Sequence, residues 1–143
     1  MRPLPVARPV VVAGLGVVGV DQHRQIAVPS NINLAGWFYQ TVTPGDLGLS
    51  VIDGHLDGYR HPGIFAKLAK LKPGDKFSVE LGNGSTSTFQ VKSVHSYPTA
   101  QATNAIFSQL PGASRQLNLI TCGSNFGNAG YDQRVVVASQ LVK

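Results

Sequence analysis

The chain has 143 residues, of which 43% are hydrophobic and only 13% charged, with a formal net charge of +5. That size and balance fit one compact domain with a real core and exclude a disordered tail or a coiled coil. The twelve Lys and Arg are scattered without interleaved aromatic platforms, which argues against a nucleic-acid binder, and a single Cys excludes an internal disulfide.

Sixteen Gly and nine Pro imply many turns and few long helices, so a β-rich fold is expected. Residues 1–9 carry three prolines and read as an extended lead-in to a single domain over residues 10–143. The apolar run Pro9 to Val20 contains three glycines and falls short of the ~20 residues of a membrane helix. It has no lysine-rich start or proper cleavage site for a signal peptide, so a soluble chain is expected, with any membrane anchor trimmed from its start. Short strands are predicted within Pro9 to Val20 and over Gln25 to Val28, and a strand or turn over Leu34 to Tyr39 carries the only Trp. Thr43-Pro-Gly-Asp46 is a turn signal.

Leu49 to His55 reads as a strand that breaks at Gly54, and Pro62 to Leu71 as a short helix with Ile64, Phe65, Leu68 and Leu71 on one face. Pro73-Gly-Asp75 ends it. Lys76 to Leu81 alternates polar and apolar, Asn83-Gly84 supplies a hairpin turn, and Ser87 to Val94 returns. Thr103 to Leu110 fits one helical turn, and Gln116 to Thr121 and Arg134 to Val142 are further strands. Seven or eight short strands with one modest helix point to a closed or nearly closed barrel, which hides its edges.

Three residues carry candidate chemistry. Cys122 follows the apolar strand LNLIT and precedes a glycine-rich stretch, where a thiol can be reached. His55 ends another apolar strand, where an imidazole can move a proton. Arg134 opens the last strand, and its permanent, forked charge suits an oxyanion. Together they could perform acyl transfer. The chain order His, Cys, Arg disagrees with papain-like enzymes, in which Cys precedes His. The L,D-transpeptidases carry a Ser/Thr-His-Gly-Cys run that this chain lacks.

His23 and His95 read as ordinary surface or satisfied residues, Asp57 as a loop residue and Trp37 as a core or rim residue. No Cys and His set has zinc-site spacing, the seven acids form no calcium loop, and a site from His55, His61 and Asp53 or Asp57 is disfavoured. No metal or other cofactor is expected.

At these residues the chain resembles the sortase family. Asn118-Leu-Ile-Thr-Cys122 looks like the Thr-Leu-x-Thr-Cys signature with Asn118 in place of the first Thr. Gly54-His55 looks like the catalytic histidine motif, and Arg134-Val-Val-Val-Ala138 like the arginine strand. Gly36-Trp37, the Thr43 to Asp46 turn and Phe65 to Asp75 extend the likeness from about Pro9 to Val142. The short form is most similar to the class E and class F actinobacterial enzymes.

The resemblance implies a closed eight-stranded sortase β-barrel, antiparallel or mixed, with one or two short helices. It implies a cysteine transpeptidase that cleaves a Leu-Pro-x-Thr-Gly-like sorting signal through a thioacyl intermediate. The catalytic residues would be His55, Cys122 and Arg134, with Thr121 as a candidate substrate contact; His61, which follows Arg60 in an expected loop, is a second candidate from its position alone. The partners implied are sorting-signal-bearing surface proteins and an amine acceptor, a cell-wall precursor or a pilin lysine. The place implied is the outer face of a bacterial membrane or cell wall, and a monomer is the default. A thiol peptidase that releases the intermediate to water and a non-catalytic peptide-binding barrel are the competing readings.

Overall fold

The computed structural model describes residues 10–12, 16–18, 35–55, 57–58, 61–62, 68–81, 85–98, 101–122 and 133–142. Strands dominate. They are β1 (Val10–Val12), β2 (Gly16–Val18), β3 (Ala35–Phe38), β4 (Gly48–His55), β5 (Asp57–Gly58) and β6 (His61–Pro62). These are followed by β7 (Lys76–Glu80), β8 (Thr86–Pro98), β9 (Arg115–Cys122) and β10 (Gln133–Leu141). A 3-10 turn covers Leu68–Lys70 and a short helix, α1, covers Ala102–Ile106.

Eight strands form one curled sheet, a half-barrel in the order β1-β7-β8-β10-β9-β4-β3-β2. The sheet is mixed. β1–β7, β2–β3 and β4–β9 are parallel, and the other pairs are antiparallel. Among the described residues β1 and β2 end the sheet without pairing to each other, so the expected closure is not among the observed pairings. β5 and β6 make a separate two-residue ladder that pairs Asp57 with Pro62 and Gly58 with His61.

Period-2 alternation divides the apolar residues between two faces. On the concave side Ile52, Phe77, Val79, Phe89, Leu117, Leu119 and Val137 form the main core, with Leu68 sealing it from the 3-10 turn. Phe77 and Phe89 are directly opposed across β7 and β8 and stack with ring centroids 5.7 Å apart. On the other side Val51, Ile120 and Val136 pack under Ala102 and Ile106 of α1. β4 and β9 are therefore buried on both faces, as a parallel pair in the middle of a sheet is.

Buried polar side chains fasten α1 to β9. Asn118 Nδ2 donates to the Ile106 carbonyl at 2.7 Å, and Gln116 Nε2 donates to Asn118 Oδ1 at 2.9 Å and to the Ser108 carbonyl at 3.0 Å. Arg115 Nη1 donates to the Gly45 carbonyl at 2.7 Å, tying β9 to the Thr43–Asp46 turn. In that turn Gly45 has φ +98°, a conformation glycine adopts without strain. Trp37 Nε1 donates to the Val42 carbonyl at 3.0 Å, so this half-buried ring is both packing and strut.

Three expectations need correction. β4 does not break at Gly54, because that residue is paired on both sides, to Ala35 and to Thr121, and two ladders outweigh glycine's freedom. The helix expected from Pro62 survives among the described residues only as the 3-10 turn, since Pro62 lies in β6. Leu68 and Leu71 reach the core from that single turn, which satisfies the same apolar spacing. Asp57 lies in β5, not in a loop. The lead-in over residues 1–9, His23, the strand over Gln25 to Val28, residues 63–67 and the Asn83-Gly84 turn fall outside the described residues. The hairpin that this turn would join is present, with Leu81 N–H donating to the Ser85 carbonyl at 2.8 Å.

Candidate active site

The local sequence brings β4 and β9 together through two apolar runs, and their parallel register ends with Gly54 beside Thr121 and His55 beside Cys122. Cys122 is the last residue of β9 rather than the first beyond it, because the pairing with β4 carries the strand one residue further. β10 runs antiparallel to β9 with Val136 opposite Ile120. Extending that register two residues beyond its last pair sets Arg134 level with Cys122. On its other side Arg134 pairs with Tyr97 of β8. The backbones of His55, Cys122, Arg134 and Tyr97 thus form one row across β4, β9, β10 and β8.

Arg134 is only 6% exposed although it lies near the start of its strand. Thr121 is buried, and its Oγ1 accepts the Val135 N–H at 2.9 Å. That hydroxyl holds β10 against β9 immediately beside the row. His61 lies in β6, in the ladder that follows β4, and not in the His55–Cys122–Arg134 row. Next to the row, a cavity of about 270 Å³ opens between α1 and the sheet, lined among others by His95, Tyr97, Ala105, Asn118 and Val136. The His95 and Tyr97 rings meet edge-on with centroids 6.1 Å apart.

Asp53 is the feature that sequence reasoning passed over, except as a disfavoured metal ligand. It is fully buried, and neither carboxyl oxygen has a hydrogen-bond partner. Burial pushes its pKa up from 3.8 to about 8, against the opposing pull of the Arg134 charge and of the Gly54 N–H. The Gly54 N–H favours the anion but falls short of hydrogen-bond geometry. The available signal was an acid inside an otherwise apolar strand, two residues before a candidate catalytic histidine. Among the described residues no group of His, Cys, Asp and Glu could hold a metal.

A family model described as the sortase domain matches residues 6–142. The chain belongs to the sortase family. Similar solved structures include sortase C-1 of Actinomyces oris, with 27% identity and a TM-score of 0.58, aligned over 76% of this chain and 58% of that one. Sortase C1 of Streptococcus agalactiae has 22% identity and a TM-score of 0.61 over 90% of this chain and 67% of the other. Sortase A of Corynebacterium diphtheriae has 18% identity and a TM-score of 0.61 over 88% and 59%. The chain thus spans less than two thirds of the length of the Actinomyces oris enzyme. No curated protein sequence matches it. These comparisons support the family and the sortase fold, and not the class E or class F subtype. Among the described residues no helix is long and apolar enough to cross a membrane.

Proposed function

We propose that this chain is a cysteine transpeptidase acting at a bacterial cell surface, with Cys122 as nucleophile, His55 as acid and base, and Arg134 as oxyanion partner. The observation that carries the reading is the pairing of His55 with Cys122 on adjacent parallel strands, with Arg134 level with them on β10. The sheet thereby brings residues far apart in sequence into one row. Membership of the sortase family supports a catalytic reading of that row.

The substrate proposed is a Leu-Pro-x-Thr-Gly-like sorting signal. The Cys122 thiolate attacks the Thr carbonyl carbon, and the oxygen that takes up the electron pair is met by the Arg134 guanidinium. The C–N bond to Gly breaks, and His55 gives its proton to the departing amine. An amine acceptor, from a cell-wall precursor or a pilin lysine, then attacks the thioester and loses a proton to His55. The C–S bond breaks, the new amide forms and the thiolate is restored, with no net oxidation. The cavity beside α1 is suited to residues of the signal ahead of the scissile bond, being half-open and lined by both apolar and polar groups.

Intact-mass spectrometry after mixing the protein with such a peptide and triglycine tests the reading. The expected result is a product joined at Thr to triglycine, reduced at least 1,000-fold in rate by Cys122→Ala. Cleavage unaffected by the amine would favour the peptidase, and full activity in Cys122→Ala would overturn the assignment.

A further inference from the structure

Asp53 occupies a position that an apolar residue would fill at less cost. It lies on β4 between Gly36 of β3 and Ile120 of β9. Alternation along the strand puts it on the side of Val51, which packs with Ile120 and Val136. Arg134 is two residues from Val136 on β10, so it belongs to the same side, with only β9 between it and Asp53. Both residues are buried, and both Asp53 oxygens are without hydrogen bonds. An isolated carboxylate is costly in such a place, so the group stays a neutral acid until its ionised form finds a cation.

Among the described residues the cation that acts on it is Arg134. β3 (Ala35–Phe38) and α1 (Ala102–Ile106) hold no titratable side chain. β8 holds His95 opposite Val136 and Tyr97 opposite Arg134, β4 itself holds His55, and β9 holds Cys122. The charge that acts on the Asp53 carboxyl is that of Arg134.

We propose that Asp53 is a positioning residue for Arg134, leaving the guanidinium to the substrate oxygen while it is the neutral acid and drawing it across β9 once it is a carboxylate. The step is a simple ionisation in which the proton goes to solvent and an ion pair forms. Activity then falls on the alkaline side through loss of oxyanion support, besides any titration of His55 or Cys122. The proposal rests on the role given to Arg134 under the transpeptidase reading.

The test compares pH profiles of kcat and KM for wild type and Asp53→Asn, with a Leu-Pro-x-Thr-Gly peptide and triglycine. Asparagine has the shape of the neutral acid and cannot ionise. The expected result is a wild-type kcat that declines above about pH 8. Asp53→Asn should keep the plateau within about twofold and carry it roughly one pH unit further, with KM little changed. An unshifted alkaline limb, or a folded Asp53→Asn protein inactive at every pH, would overturn the proposal.

Carboxyl carbon NMR of the Asp53 side chain supplies a reading that needs neither turnover nor a folded Asn variant. Titration well above the ordinary aspartate range, raised further by Arg134→Gln, is expected. Titration near 4, or no response to Arg134→Gln, would overturn the coupling. If wild type turns over no peptide, the transpeptidase reading of the site fails alone, and the Asp53–Arg134 coupling is still decided by this titration.

Discussion

A carboxyl buried without hydrogen bonds makes stability depend on pH, and for Asp53 the sign is opposite to that of the usual salt-bridged acid. Its pKa in the folded chain, about 8, lies above the ordinary 3.8. Between those values the folded state holds a proton that the unfolded state has released, so stability falls as pH rises through the window and levels off above it. The slope is about 1.4 kcal/mol per pH unit, of the same order as the effect of a typical single substitution. The wild-type melting temperature should fall by roughly 4 °C per unit between pH 5 and 8 relative to Asp53→Asn. Parallel melting curves for the two proteins across that range would show that Asp53 ionises normally. Asp53 was hard to read in the sequence because a strand such as SVIDGH does not say whether its one acid faces water. The burial comes from α1, about fifty residues further along the chain, packing over the same side of the sheet. His55, Cys122 and Arg134 stand out in the sequence as candidates because residue type and chain order together limit the chemistry proposed for them.

At the scale of elements, alternation and turn chemistry carried most of the information. Lys76–Glu80 shows the exposed–buried pattern its sequence alternates, and Gly74 takes φ +99° in the turn before it. Less legible were elements whose partners are distant. Gly54 reads as a breaker until Ala35 and Thr121 are seen on either side of it, and Pro62 reads as a helix start until Asp57 pairs with it. Asn118, which departs from the family signature, holds the Ile106 carbonyl and so anchors α1. The β7–β8 hairpin is the element whose energetics are most open to test. Phe77 and Phe89 are fully buried and stacked, so each change to Ala should cost about 3–5 kcal/mol in urea unfolding. Their stacking should appear as a coupling of about 0.5–1.5 kcal/mol in the double-mutant cycle, and strict additivity would mean the rings contribute only through burial.

For the whole molecule, the two-sided burial of β4 and β9 explains why so short a chain can keep a polar row at one end of its sheet. Concave core and α1 layer together pack both faces of these strands, and a well-packed scaffold is what the proposed acyl transfer asks of groups that must meet within a fraction of an ångström. The same parallel pairing also bears on how the protein reaches its native state. β7 and β8 are neighbours in the chain and can zip as soon as both exist, whereas β4 and β9 join residues 48–55 to residues 115–122 across a long intervening loop. Closing such a loop is an entropic cost met before any contact rewards it. Pulse-labelled hydrogen exchange during refolding should therefore find the β7–β8 amides protected first and those that bond β4 to β9 last. Simultaneous protection of all four strands would instead indicate a single concerted step. If the order holds, His55 and Cys122 remain strangers through most of folding, and their backbones come side by side only as the last strands lock.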